Sequence, residues 1–311
     1  MSTTRRLVPV VLPVLLLPPV LAGCGDDPSP GASRTPSAAH SSALPTSPGA
    51  PTSTPRAAPP LLPDTPSLAD PAALAQQLRR AVATVLDEHA APADVERAAW
   101  FEQRASRLLA HAPTRSRDVL ARLGSARAAV AADVRAARLL TSMTPAQPKL
   151  PPWRILTPPS ADVLLGYYRD AERATGVPWE YLAAINLVET RMGRISGTST
   201  AGAQGPMQFL PSTWDLYGAG GDIRDPRDAI LAAGRLLAAN GAGRDIQGAL
   251  WHYNQSSRYV GAVTAYAQAL QRTPRLYRGY WHWQVLYRQR SGVFWLPEGY
   301  PRVPAERVAG E

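Results

Sequence analysis

Proline and helical hydrophobic period are segregated along this chain, and that split constrains the fold more than any other feature. A large share of the 32 prolines falls in the first sixty-odd of 311 residues, whereas the aromatic residues cluster after Trp153. Proline lacks the N–H that a helix or sheet interior uses. A stretch made of Pro, Ser, Thr, Ala and Gly also has too little apolar surface to offset its ordering entropy. The front is therefore expected to stay extended and the back to fold, with a mainly α fold class.

Residues 1–23 read as an export signal. Arg5 and Arg6 give a basic start, and Leu7 to Leu21 an apolar run broken by Pro9, Pro13, Pro18 and Pro19. That run is too short and too interrupted for a stable spanning helix. It ends in Leu21-Ala22-Gly23-Cys24, which resembles the bacterial lipobox. The resemblance implies lipidation of Cys24 and an exported protein, lipid-anchored to the outer face of the cell membrane and facing the wall. An ordinary signal peptide with an incidental cysteine is the alternative. Residues 24–66 would then form a disordered tether. A lone cysteine excludes an internal disulfide, and the five scattered histidines have no metal-ligand spacing. No metal and no cofactor are expected.

The formal charge is +9, carried almost wholly by arginine, with Lys149 the one lysine. Acidic residues are interleaved and no long basic run occurs, which argues against a nucleic-acid partner. An anionic wall or membrane surface, or a merely solvated arginine-rich face, accounts for the charge as well.

Residues 67–145 are expected to form a helical hairpin or small bundle. Asp70-Pro71 suits an N-cap with proline in the first turn, and Leu74, Leu78, Val82 and Val85 follow at helical spacing. Pro92 and Asp94 restart the pattern, which runs through Val95, Phe101 and Leu108 to about His111. A third helix from about Ser116 sets Val119, Leu123, Ala126, Val130, Val134 and Ala137 on one stripe. This alanine-rich stripe makes a thin core suited to packing on the next domain. No chemistry is expected in these helices.

The chemistry is expected within residues 150–272. Ser160 caps a helix to about Thr175, with Val163, Leu164 and Tyr167 inward, and Pro178 opens another from Trp179 to about Met192. On the second helix Leu182, Ile185, Glu189 and Met192 share one side. A carboxyl in an apolar stripe is costly when ionised, and desolvation raises its pKa toward that of a useful general acid. By position alone, Glu189 is equally a glutamate reaching solvent from a helix end, or pairing with Arg191 or Arg194. From Thr190 to Thr213 there is no Asp or Glu. This glycine-rich loop carries Ser, Thr and Gln with Phe209, and Trp214 follows it. Those are ingredients of a carbohydrate cleft, or else of a loop packed by its own side chains. Asp225-Pro226 opens a helix through Ile230, Ala233 and Leu237 that stops at Gly241. Asp245 opens one to about Asn254, with Tyr253 at the core edge. Arg258 to Leu270 reads as structural.

Glu189-Thr190, Ser199-x-x-Gly202-Ala203-x-Gly205-x-Met207-Gln208-Phe209-x-Pro211-x-Thr213 and Tyr253-Asn254 together resemble the lytic transglycosylases with a goose-lysozyme-like (SLT-type) helical domain. The resemblance covers roughly residues 155–270. It implies Glu189 as the single catalytic acid and base, and Ser199 and Gln208 beside the scissile bond. Met207 and Phe209 would line the cleft near Gly205, with Tyr253 and Asn254 facing the glutamate and the N-acetyl group. Thr190, Pro206 and His252 depart from the residues usual in that family without removing a group the chemistry needs. Residue reading alone leaves Tyr253 open to being a packed tyrosine with a satisfied hydroxyl.

A retaining glycosidase with two carboxylates holds them about 5–5.5 Å apart, an inverting one about 6.5–9.5 Å. With no second acid in the loop, one glutamate would serve twice. It would cleave a MurNAc–GlcNAc link without water and leave a 1,6-anhydro-MurNAc end. The expected partner is the glycan strand of peptidoglycan, met by a monomer. The alternatives are a hydrolysing muramidase on the same fold and a wall-binding lipoprotein without turnover.

In residues 273–311, Trp281, Trp283, Val285 and Tyr287 alternate with more polar residues. Ser291-Gly292 turns the chain into Val293-Phe294-Trp295-Leu296, and the pattern is that of a β-hairpin. It is expected to pack on the domain; an extended sugar-binding surface is the alternative.

Overall fold

The computed structural model describes residues 65–310. The segment read as an export signal, Cys24 and nearly all of the expected tether lie outside the described residues. Within them the fold is mainly helical with small antiparallel sheets. No described helix is long and apolar enough to cross a membrane.

The front helices are α1 (Pro71–Leu86), α2 (Pro92–His111), α3 (Pro113–Leu120) and α4 (Arg127–Met143). Asp70 caps α1 by accepting from the N–H groups of Ala72 and Ala73. Leu74, Leu78, Val82 and Val85 form a core with Val95, Phe101, Leu123, Val130 and Val134. The single third helix expected from Ser116 is instead two, α3 and α4. The chain turns between them through Gly124, whose φ of 56° is open to glycine at little cost. Leu109, not Leu108, is the fully buried leucine late in α2. The stripe expected to pack on the next domain instead closes the front core through Val130, Val134 and Ala137, and a different face of α4, with Ala132 and Ala136, packs against α10 (Ser257–Arg272) and joins the larger core built by the later helices.

That larger core surrounds α6 (Trp179–Thr190). Every residue from Tyr181 to Thr190 is buried, so α6 is a central helix and not the one-sided helix its spacing suggested. It packs against α5 (Ala161–Thr175), α8 (Pro226–Ala239) and α10. On α5 the inward residues are Leu164 and Tyr168. Val163 is 44% exposed and Tyr167 only half-buried, because α5 leans on its neighbours by a different face from the one expected. The caps expected at Ser160 and Asp225 are present, and Asp245 caps the helix it precedes, each accepting from a backbone N–H three residues on.

Helix α6 stops at Thr190, two residues before the expected Met192, because Arg191 and Met192 both take positive φ (54° and 61°). The chain then pairs β2 (Ile195–Ser196) with β1 (Arg154–Ile155). The loop after β2 returns to α7 (Pro211–Tyr217), and α9 (Ile246–Tyr253) leads into α10. Trp281 belongs to a helix, α11 (Leu276–His282), and not to a strand. The hairpin itself forms between β3 (Val285–Gln289) and β4 (Gly292–Leu296), with β5 (Glu306–Arg307) added on β4. Its inner residues Val285, Tyr287 and Leu296 pack with Ile155 and Tyr300. The hairpin is thus held against the β1 region.

Candidate active site

Glu189 sits in the last turn of α6 and is 3% exposed. Its Oε1 accepts a 2.7 Å hydrogen bond from the hydroxyl of Tyr259, and its Oε2 has no partner. Neither arginine considered as a partner pairs with it. Arg191 Nη1 donates to Leu187 O, and Arg194 Nη2 donates to Trp281 O with its guanidinium over the Trp281 ring. Burial pushes the Glu189 carboxyl up to about 8, against a smaller downward pull from the Tyr259 hydroxyl. The group is therefore mostly protonated at neutral pH and readily ionised just above it.

Two stacked tyrosines form one wall. The rings of Tyr253 and Tyr259 are nearly parallel, with centroids 6.3 Å apart, and Phe209 meets Tyr253 edge-on at 5.8 Å. The Tyr253 hydroxyl donates to Met207 O at 2.6 Å, so this tyrosine ties the loop to α9. Tyr259, not Tyr253, is the residue bonded to the carboxyl. Asn254 is fully buried at the end of α9, and neither polar atom of its side chain has a partner.

The loop is fastened to α6 from below. Asn186 Nδ2 and Thr190 Oγ1 both donate to Pro206 O, at 2.8 and 2.6 Å. Tyr168 holds Asn186 Oδ1 in turn, and Gly193 N donates to Thr190 Oγ1. At Gly205, φ is 74° and a Cβ would fall on the carbonyl oxygen of Ile223, so only glycine fits. Gln208 also takes a positive φ, and its Nε2 donates to the carbonyls of Gly205 and Gly197. Met207 and Phe209 are buried beneath the loop, whereas Ser199 and Gln208 are half-buried. Ser199 Oγ accepts from Ala203 N at 3.0 Å, which closes the turn over residues 199–203.

No family model, curated protein or solved structure matches this chain.

Of the residues singled out from sequence, Met207, Phe209 and Tyr253 share the core around α6, Glu189 ends that helix and Asn254 follows Tyr253 at the end of α9. Gly205, Gln208 and Ser199 shape the loop further out. A small depression is lined by Gln208, Phe209, Thr213, His252 and Tyr253, and an open groove of about 620 Å³ runs past Gly197, Gln204 and Gly205. Glu189 lines neither. Sequence reasoning missed Tyr259, which lies on a helix read as structural. Its spacing after Tyr253 and the Ser256 cap of α10 were the signals available. Among the described residues no group of three or more His, Cys, Asp or Glu is arranged to hold a metal.

Proposed function

We propose that this protein is a peptidoglycan lytic transglycosylase on a goose-lysozyme-like helical domain, exported and held at the membrane through a lipidated Cys24. The observation that carries this reading is the lone Glu189 carboxyl. It is buried, raised to about 8 and hydrogen-bonded on one oxygen only, and the loop that follows it contains no second acid.

Such a group suits a reaction in which one acid acts twice. The protonated Glu189 gives its proton to the glycosidic oxygen of a MurNAc–GlcNAc link, and the C1–O bond breaks. The substrate's own 2-acetamido oxygen bonds to C1 and holds the positive charge as an oxazolinium. Glu189, now a carboxylate, accepts the proton of the MurNAc 6-hydroxyl. O6 then closes on C1 as the acetamido oxygen leaves, and the product is a 1,6-anhydro-MurNAc end. Tyr259 stabilises the intermediate carboxylate through its hydroxyl, a charge-assisted hydrogen bond. The unpartnered amide of Asn254 is assigned to the acetamide, an interaction of positioning and electrostatic help. Gln208 and Ser199 offer neutral hydrogen bonds along the loop.

The test is mass analysis of purified wall digested with the full chain. Anhydro ends are the expected product. Ends heavier by one water mean a hydrolysing muramidase, and wall binding without any cleavage by the wild type means a non-catalytic lipoprotein.

A further inference from the structure

A groove of about 350 Å³ lies between α4, α9 and α10, and neither Glu189 nor any residue of the loop after β2 lines it. Two rows of residues build it. Gln247 and Trp251 stand one helical turn apart on α9, and Ser257, Gly261 and Thr264 follow along one stripe of α10. Arg135 of α4 supplies the third side. Gly261 lets α4 come close, since a Cβ there would lie 3.0 Å from Leu139 Cδ1.

The groove leaves an aromatic face and several hydrogen-bonding groups unused together. Trp251 is 44% exposed, and it is the one aromatic among the large apolar side chains left exposed in the described residues. Arg135, Gln247 and Ser257 are exposed, and their side chains meet no polar partner among the described residues. Thr264 is 7% exposed, and its Oγ1 has no partner, not even the carbonyl one turn back on its own helix. A buried hydroxyl in that state costs free energy. Water in the groove can serve the hydroxyls and the amide, but the indole face gains only from being covered.

Three features narrow the ligand. A pyranose has C–H groups on its face and hydroxyls at its rim, so it covers an indole while the rim reaches Gln247, Ser257 and Thr264. Arg135 is the only charged side chain in the lining and faces no acid there, so the ligand is to bring a carboxylate. The volume falls at the lower end of the roughly 300–1,000 Å³ of small-ligand pockets. That is room for about one or two sugar rings, not for the face of a folded partner.

We propose that this groove is a second saccharide site, separate from the Glu189 site, for a carboxylate-bearing amino sugar. The sugar is the MurNAc unit of a glycan strand whose stem peptide has been removed, because its lactyl carboxylate is free only there. Trp251 covers the ring and Arg135 pairs with the carboxylate. The inference rests on the glycan reading for its ligand class alone, and a wall-binding protein without turnover would carry the same site.

The test is a titration of the full chain, ¹⁵N-labelled at tryptophan, with N-acetylmuramic acid and with N-acetylglucosamine, which lacks the lactyl carboxylate. The chain has eight tryptophans, and Trp251→Phe assigns the indole signal of interest. That signal should shift saturably with N-acetylmuramic acid, at about tenfold lower concentration than with N-acetylglucosamine. Arg135→Gln should remove the tenfold difference and leave N-acetylglucosamine binding as it was. No saturable shift at Trp251, shifts confined to other indoles, or an N-acetylmuramic acid affinity unchanged in Arg135→Gln would each overturn the proposal. Neither sugar is cleaved in this titration. A silent Trp251 therefore leaves the Glu189 reading standing, and a wall left uncut leaves the Trp251 response expected.

Discussion

Two regions of the molecule bury carboxyl groups beside a tyrosine hydroxyl, and they do so differently. Glu189 stands alone: Tyr259 donates to one oxygen and the other has no partner. Glu102 of α2 and Asp133 of α4 are buried as a pair, with Tyr280 of α11 donating to Asp133 at 2.6 Å. Burial raises all three acids, Asp133 to about 7 and Glu102 well above its usual range, the latter helped by the neighbouring Asp133. In the pair each carboxyl has a second acid beside it, and Tyr280 ties Asp133 to a third helix. The solitary acid has only the Tyr259 hydroxyl bonded to it and no second carboxyl beside it. Desolvation alone therefore does not mark a catalytic acid, and neither does an unpartnered oxygen, since Glu102 Oε1 and Asp133 Oδ2 lack partners as well; what sets Glu189 apart is that no second carboxyl stands beside it.

The largest expected effect is on turnover. Glu189→Gln keeps the shape but removes the proton, and wall cleavage should fall by about 10³-fold or more while wall binding persists. Asp133→Asn, in the pair, should leave cleavage near wild type at temperatures where the protein is folded. An equal loss in both variants would erase the distinction.

The next effect is on stability against pH. Each of these acids has a folded pKa above its unfolded value, so its contribution is full below the unfolded pKa and is lost as pH rises through the folded one. For Glu189 that window runs from 4.5 to about 8, with a loss on the order of 5 kcal/mol. For Asp133 it closes near 7. Denaturant titrations across this range should show Glu189→Gln sparing the loss that continues to pH 8, and Asp133→Asn sparing part of the loss that ends near pH 7. Unchanged slopes in both would mean that neither carboxyl is desolvated.

Smaller still are the two tyrosines. Tyr259→Phe removes a hydrogen bond that lowers the Glu189 pKa. The alkaline limb of the rate profile should therefore move up, and the rate should fall about 10- to 100-fold, because the ionised intermediate loses its donor. Tyr280→Phe should cost about 1 kcal/mol of stability and leave the rate profile in place.

The two regions also differ in what the sequence disclosed. Glu189 was legible because helical spacing put it among apolar residues and an acid-free, glycine-rich loop followed. The caps at Asp70, Ser160 and Asp225 were legible because each depends on residues within three positions. Tyr259 was not, since the periodicity of Val260, Val263, Ala267 and Leu270 accounts for one face of α10. That helix is in fact buried widely enough to include Tyr259 and Tyr266. The Glu102–Asp133 pair was invisible for a related reason. Each acid sits on a helix with charged neighbours and reads locally as solvated, and only the packing of α2 on α4 brings them together. Trp281 was misread because alternation with polar residues over a few positions fits a strand as well as a short helix.

The central claim is that Glu189 keeps its proton at neutral pH because it is dry. A direct measurement is the ¹³C NMR titration of its side-chain carboxyl, assigned by comparison with Glu189→Gln. A midpoint near 8 is the predicted result. A midpoint between 4 and 5, that of an ordinary hydrated glutamate, would contradict it.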